Sequence, residues 1–579
     1  MTTLAAERIE KSKRRPWLWI ALATSFMATL VIHLPALFAP FDLDELLILG
    51  GIDETSPWMG SRLDLYRFSS GQRQDVELLV DSGALPWFTS SDWRYALWRP
   101  LTSLTFNVDF ALFGRDRLGY QLHSVLWWLV LISIVGLLMF SIFERRVAFW
   151  SVLTFSLSAV NGEAVVWLSA RHTLLATTLG LAGLAAHVHW RETRVSSFWR
   201  LFSIGCLLGA LAASESALQC FAYLLAYEAC RGLTSRRKPR FALRTEILIL
   251  VGYLVLYRAA GRGASEAFEY VDAMREPGRL AEVAGHRASV LLGRMTTGFE
   301  LGSWTIPGLA VLAMGTLFLR GRLPALRRRH LDWLVVGSFC SVIPALCGFP
   351  DDRALLAPSV GWAAVVGCGA EELCRRIHRR GAGPPRAKLP LALLGAFVAC
   401  HLVVAPFRAH AACLEHVRRA ESEVATLRAV SRKVTGSTRV ICVNSPNWLV
   451  GQVGDAVLQA SSSSERRWWL LSMTQGRHQL TRTGPGRFEL SSVDLAFDVH
   501  YFRDPQRNPI WPGYEVDQAG LRVRVLESIR GWPTRIQVDL ETSLEDPATI
   551  LVTLVQGELR KIDPPSIGTT IQIPAPEGL

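Results

Sequence analysis

Three carboxylates, Asp42, Asp44 and Glu45, follow directly on a run, residues 17–39, that contains no Asp, Glu, Lys or Arg. A run of this length can cross a hydrocarbon core, which needs about 20 apolar residues in a helix. An acid at its exit is neither bulk-solvated nor cheaply buried, since roughly 2.5–3.5 kcal/mol opposes one at mid-helix. Such a carboxylate can act as a general base, an effect typically worth ~10²–10⁴ in rate. It can equally be a hydrophilic stop at the membrane border. Arg99, Asp109, Glu163, Arg171, His172, Glu215, Asp351, Asp352 and Arg353 are also out of place in so hydrophobic a chain. Each one alone reads as a solvated loop residue. Together they pair carboxylates with Arg, whose planar fork grips phosphate bidentately. That pairing suits a lipid-linked phosphate donor and an acceptor hydroxyl deprotonated by a nearby carboxylate.

Positioning these residues requires helices that cross a membrane. Spans are expected at 17–39, 119–142, 147–160, 172–190, 200–213, 215–229, 241–258, 303–320, 331–349, 354–373 and 388–406, about eleven in all. Basic residues cluster at 11–15, 144–146, 191–200, 231–240, 319–329 and 375–388. Placing every cluster in the cytoplasm gives one alternating path, with the N-terminus inside and the tail outside. The polar residues above then share the outer face. The segment 259–302 is ambiguous, because Val283 to Phe299 is amphipathic and suits the membrane surface as well as a crossing. Leu97 to Phe113 reads as an interfacial helix, with Pro100 at a tolerated early position.

The implied organisation is a basic N-terminus (1–16), a membrane domain (17–406) with a large first outer loop (40–118), a helical linker (407–433) and a β-rich domain (434–579). Strands in the last are expected at Thr438 to Val443, Arg487 to Leu490, Leu521 to Leu526, Thr534 to Leu540 and Ile550 to Val555, from period-two alternation broken by Gly, Pro and Asp.

Composition agrees with a membrane protein bearing a soluble appendage. Half of the 579 residues are hydrophobic and 20 are Trp, a residue suited to the lipid–water border. The net charge of +12 is spread over short clusters between apolar runs, which argues for topology and against nucleic-acid binding. Eight of the 10 Cys lie in or beside apolar segments and no C-x-x-C occurs, so no metal cluster is expected. His187 and His189 have no acidic neighbour in sequence and do not suggest a metal site. Trp468-Trp469 could stack on a sugar, although a β-domain core is the favoured reading.

Four stretches make the chain resemble the GT-C superfamily of polytopic glycosyltransferases that use polyprenyl-phosphate sugars. Within it, the likeness is to bacterial relatives of the transmembrane-and-tetratricopeptide O-mannosyltransferases. The stretches are Asp42 to Leu46; Arg99-Pro-Leu with Asp109 to Gly114 and Gly119 to His123; Asn161 to His172; and Asp352 to Gly361. The resemblance implies a GT-C-like, α-helical polytopic fold with a C-terminal extracytoplasmic β-rich domain in the cytoplasmic (inner) membrane. It implies a catalytic carboxylate at Asp44 or Glu45, with Asp42 raising its partner's pKa by like-charge repulsion. Arg171 and Arg353 are the implied ligands of the donor phosphate. Arg99 is a third, or else pairs with Asp109 and only fixes the interfacial helix. Glu163, His172, Glu215 and Asp352 support them.

The implied activity is inverting hexosyl transfer from a polyprenyl-phosphate sugar to an extracytoplasmic glycan, lipid or protein. No metal site and no cofactor beyond the donor are assigned, and a divalent cation is left open. The chain also departs from the family. Leu43 separates the two Asp residues, Ser214-Glu215 stands where the family has Lys-Glu, the Pro ahead of Asn161 is missing, and the tail has no tetratricopeptide helices. These departures keep open the alternative of a catalytically inactive scaffold or envelope-assembly factor.

Overall fold

A computed structural model describes residues 2–54, 58, 60–193, 196–234, 243–267, 270–300, 302–378, 388–433, 439–445, 467–556 and 558–576. The basic stretches at 235–240 and 379–387 and the expected domain start at 434 lie outside the described residues. Contacts divide the chain into two compact units. One comprises residues 1–38, 99–257 and 273–417, and the other residues 39–98, 258–272 and 418–579.

The first unit is helical. In chain order the helices are α1 (Thr2–His33), α2 (Leu43–Ile52) and α3 (Arg73–Asp81), these last two belonging to the second unit, then α4 (Pro100–Phe113), α5 (Arg117–Ile142), α6 (Arg145–Leu157), α7 (Gly162–Val166), α8 (Arg171–Thr193), α9 (Ser197–Ala213), α10 (Leu218–Thr234), α11 (Arg244–Ala259), α12 (Pro277–Thr297), α13 (Thr305–Arg322), α14 (Ala325–Ala345), α15 (Pro358–His378), α16 (Lys388–Ala399) and α17 (Ala405–Lys433). Among the described residues, Pro16–Phe38, Arg117–Ile142 and Ala392–Thr426 are long and apolar enough to cross a membrane. A fourth crossing forms if Arg145–Leu157 and Ala159–Val166, bent by 56°, act as one. The chain is a multi-pass, mostly helical membrane protein. The eleven expected spans include segments shorter or more polar than these. The ambiguous region 259–302 contributes a regular helix, α12.

Leu131, Val135, Val152, Phe155, Leu174, Val360 and Val365 meet in the apolar core of this unit. Lipid offers little hydrophobic gain for helix association, so close backbone approach matters. At Gly361 on α15 a Cβ would overlap the Leu334 carbonyl oxygen of α14, so only glycine fits.

Two helix breaks shape one end of this unit. The α6 helix stops at Leu157, and Asn161 Nδ2 donates to the freed Phe155 carbonyl at 2.8 Å. Short turns then carry the chain through Glu163 and Trp167 to the start of α8 at Arg171. The other break is the turn Asp352–Leu355, whose N-terminal Asp351 accepts from the Ala354 N–H before α15 begins. Pro100 at the first turn of α4 starts the expected interfacial helix and leaves Arg99 just outside it.

The second unit holds the strands. They are β1 (Arg67–Ser70), β2 (Arg94–Ala96), β3 (Gly263–Ser265), β4 (Arg439–Cys442), β5 (Arg467–Leu470), β6 (His478–Arg482), β7 (Arg487–Ser492), β8 (Glu515–Gln518), β9 (Leu521–Ile529), β10 (Trp532–Leu540), β11 (Thr549–Val555), β12 (Glu558–Ile562) and β13 (Thr570–Ile573). All five expected alternating runs are strands. Three sheets form, in the orders β1-β2-β3, β13-β6-β7-β10-β9-β8 and β12-β11-β4-β5, and β4 runs parallel to both of its neighbours. Leu521, Val523 and Val525 point into the core while Arg522 and Arg524 are exposed, as alternation demands. Arg530 and Gly531, both at positive φ, close the β9–β10 hairpin, a geometry whose twist matches the strands.

Trp468 and Trp469 are buried and belong to the core. That core also takes in Leu43, Leu47, Leu85 and Trp87. The Trp87 indole donates to the Leu471 carbonyl at 3.0 Å, and Arg503 Nε donates to the Phe88 carbonyl at 2.7 Å. Residues 39–98 of the expected first loop therefore fold with the tail strands and not with the membrane helices.

Candidate active site

The acid triplet and the arginines lie in different units, so each is described separately. In the second unit Asp42 caps α2. Its Oδ1 accepts the Glu45 N–H at 2.8 Å, and Glu45 Oε2 accepts the Asp42 N–H at 3.2 Å. This reciprocal capping box satisfies two amides that a helix start leaves unpartnered. Glu423 Oε2 accepts the next amide, Leu43 N–H, at 3.3 Å. Asp42 and Glu45 are buried, and Asp44 sits half-exposed in the first turn. Burial, with Glu45 and Asp44 adding like charge, holds the Asp42 carboxyl well above its usual range. The spacing D-x-x-E before an apolar run was the legible signal for this cap.

In the first unit the polar residues fall into a closed group and a more open one. Arg171 is fully buried, and each guanidinium nitrogen has a partner. One pairs with Asp109, Nε donates to Ser124 Oγ at 2.9 Å, and the third donates to the Tyr120 carbonyl at 2.8 Å. The Phe106 ring covers its face at 4.5 Å. Asp109 also meets His123 Nδ1 at 2.5 Å, and His123 Nε2 accepts the Trp127 indole N–H at 2.9 Å. With Nε2 accepting, the His123 proton facing Asp109 lies on Nδ1. Arg171, a donor-phosphate ligand by the family resemblance, thus spends one N–H of each of its three nitrogens inside the protein.

For Arg99 the sequence offered Asp109 as an alternative partner. Arg99 forks onto Glu215, with Nε donating to Oε2 at 3.1 Å and a terminal nitrogen meeting Oε1. His172 Nδ1 lies 3.0 Å from Ser214 Oγ, within electrostatic reach of both Arg99 and Arg353.

The more open group spans the two helix breaks. Arg353 Nε pairs with Asp351 Oδ2 at 2.5 Å, and its guanidinium lies 4.4 Å from the centre of the Trp167 ring. Glu163 Oε2 accepts the Arg353 backbone N–H at 3.3 Å. Asp352 meets Arg294 at 3.3 Å. Burial lifts the Asp351 carboxyl to about 7, with Arg353 opposing the rise and Glu163 adding to it. Asp352 is raised for the same first reason, against Arg294. Trp167 lies in the Asn161 to His172 stretch that carried the resemblance, whereas Arg294 escaped notice because nothing local marks it.

At the other end of the unit, His187 Nε2 lies 3.1 Å from Glu228 and Arg191 forks onto the same carboxylate. Glu246 lies 3.6 Å from His187 Nδ1. The expectation that His187 lacks acidic neighbours thus fails, since they arrive from α10 and α11. Arg191 and the ring engage Glu228, while both oxygens of buried Glu246 have no hydrogen-bond partner among the described residues.

No family model and no curated protein matches the chain. Among solved structures it is similar to the oligosaccharyltransferase AglB of Archaeoglobus fulgidus, in complex with an inhibitory peptide and a dolichol-phosphate, at 12% identity and a TM-score of 0.41, over 76% of this chain and 63% of that one. It is also similar to ArnT of Cupriavidus metallidurans bound to undecaprenyl phosphate, at 14% identity and a TM-score of 0.40, over 79% of this chain and 86% of that one. Both are GT-C glycosyltransferases, the superfamily that the sequence motifs resemble. The chain spans less than two thirds of the archaeal enzyme's length. Likeness of this degree transfers no chemistry from one chain to another.

Removing one partner of a fully buried ion pair typically costs ~3–5 kcal/mol. Arg171→Gln should therefore lower unfolding stability in detergent by about that much, while Arg353→Gln, at a pair whose side chains keep 14% and 11% exposure, should cost less. Equal losses would contradict the division into closed and open groups. The raised Asp351 carboxyl carries its own sign. The folded protein keeps this proton while the unfolded chain releases it, so its stabilising effect is complete below about pH 4 and is lost as pH rises to about 7. Asp351→Asn should remove that part of the fall in melting temperature, and an unchanged pH profile would contradict the assignment.

Proposed function

We propose that the chain is a membrane glycosyltransferase that moves a hexosyl group from a polyprenyl-phosphate donor to an extracytoplasmic acceptor, with inversion. The observation that carries this reading is the open group itself. Arg353, Glu163, Asp351, Asp352 and Arg294 gather at helix breaks in an apolar bundle, where fixed charge is costly to keep without use. Arg353 holds the donor phosphate, exchanging the Asp351 carboxylate for a phosphate oxygen, and Trp167 flanks it. Arg99, held by Glu215, adds positive field, with His172 beside it. Arg171 is a scaffold residue.

Asp44 is the base that the family resemblance implies. The Asp42–Glu45 box fixes the first turn that carries it, so those two acids position Asp44 and do not react. In the step, Asp44 takes the proton of the acceptor hydroxyl while its oxygen bonds to the sugar anomeric carbon. The bond from that carbon to the phosphate oxygen breaks, and polyprenyl phosphate leaves with the electron pair. The proposed setting is the inner membrane with residues 1–16 inside, the membrane domain over 17–406, and the β-rich domain outside, positioning a glycan, lipid or protein acceptor.

One observation favours an inactive scaffold instead: the cap and the closed pair absorb Asp42, Glu45 and Arg171, three of the residues the family resemblance made functional. Purified protein in lipid nanodiscs, given a panel of labelled polyprenyl-phosphate sugars, separates the two readings. Transfer or donor hydrolysis that falls ~10²–10⁴-fold in Asp44→Asn supports the enzyme. Donor binding without turnover in the wild type supports the scaffold, and turnover unaffected by Asp44→Asn moves the base elsewhere.

A further inference from the structure

Glu246 is a buried acid that the proposed transfer does not use. It lies in the first turn of α11 with 1% of its surface exposed, and His187 on α8 has none exposed. Both belong to stretches expected to cross the membrane, where an ionisable side chain is expensive and marks a function by default. The two nitrogens of the His187 ring meet different surroundings. Nε2 lies 3.1 Å from Glu228 Oε1, and a carboxylate forked by Arg191 accepts and does not donate, so Nε2 carries a proton. Nδ1 lies 3.6 Å from Glu246 Oε1, beyond hydrogen-bond length. Nδ1 and both Glu246 oxygens are without a hydrogen-bond partner among the described residues. A neutral ring would therefore turn a lone pair toward a buried carboxylate, acceptor against acceptor.

The neighbouring cations do not supply what is missing. Arg191 of α8 is spent on Glu228, and Arg200 of α9 donates to Thr245 Oγ1 at 3.2 Å. Arg231 of α10 and Arg329 of α14 meet Glu192 instead. Tyr227 packs its ring against His187 and turns its hydroxyl to Glu192. Among the described residues, His187 is the one basic group within ion-pair distance of Glu246. Little else holds α11. Glu246 and Tyr253 are its two buried residues, while Ile249, Leu250 and Leu254 reach the core only in part. A helix so thinly packed belongs to the low-stability end of a structure. Further along α11, Tyr253 lies within electrostatic reach of Arg99 and Glu215.

We propose that one proton, held between His187 Nδ1 and Glu246, latches the start of α11 to α8, and that its loss frees α11. With the proton in place, the imidazolium bridges Glu228 of α10 and Glu246 of α11 through charge-assisted hydrogen bonds. The proton passes to solvent as pH rises, and the ring then has no hold on Glu246. Because α11 also carries Tyr253, its release changes the surroundings of the Arg99–Glu215 pair. The latch is independent of the transfer step, so an inactive scaffold would keep it.

The test uses the full chain in lipid nanodiscs. Solid-state NMR of nitrogen-15-labelled histidine at about pH 7 should show a ring with both nitrogens protonated, and that signal should vanish in His187→Gln and in Glu246→Gln. Hydrogen exchange, corrected for its intrinsic rate, should find the amides of α11 about tenfold less protected in Glu246→Gln, the effect of one charge-assisted contact. Those of α10 should keep their protection. The wild type alone also carries the test if a variant fails to fold: raising the pH from about 6 to about 10 should loosen α11 relative to α10. A His187 ring with a single protonated nitrogen would overturn the proposal, as would protection of α11 indifferent to pH and to Glu246. So would a metal ion retained by the wild type and lost in Glu246→Gln, because an ion on Nδ1 leaves no place for the proton.

Discussion

The buried contact between Arg171 and Asp109 sets the terms for the helical unit. A guanidinium and a carboxylate taken out of water each carry a desolvation penalty of several kcal/mol, repaid only when geometry is close and the remaining polar atoms are satisfied. Here Ser124, the Tyr120 carbonyl, His123 and the Trp127 indole supply those partners from α5, and Asp109 comes from α4. The pair thus fastens the start of α8 to two other helices. The stretch from Asn161 to Arg171 is consequently fixed at both ends, by Asn161 at the α6 break and by Arg171 at its close. Glu163 and Trp167 lie between those two fastenings, and so they can face Arg353 in a defined geometry.

The same logic governs the second unit on a smaller scale. An acid near a membrane border costs less when a backbone amide uses it, and Asp42 and Glu45 are used in this way. Asp44 sits half-exposed in the same capped turn. In both units, buried charge that looked like chemistry also serves as carpentry.

The sequence made some of this readable and hid the rest for definable reasons. Strong periodicity exposed the helices and five of the strands, because side-chain alternation is a local property. The helix at Pro100 was readable from large apolar residues interleaved with Arg99, Asn107 and Asp109, with the proline at a tolerated early position. Pairing was not local: Arg99 and Glu215 are 116 residues apart, and only the packing of the bundle could show that Arg99 chooses Glu215 while Arg171 takes Asp109. Arg294 went unremarked because it sits in a stretch whose other residues are ordinary. The grouping of residues 39–98 with the tail was invisible because it depends on a shared apolar core and not on any motif. The capping box shows the opposite case, a local signal that was present in the acids and overshadowed by their suggestion of catalysis.

Arginine accessibility tests the account most directly. Membranes carrying the full chain are treated with phenylglyoxal, with and without polyprenyl phosphate, and modification is read at each arginine by mass spectrometry. The account predicts that Arg171 stays unmodified in both conditions, while Arg353 reacts when the lipid is absent and is protected when it is present. Modification of Arg171 that the lipid suppresses, with Arg353 indifferent to it, would contradict the account.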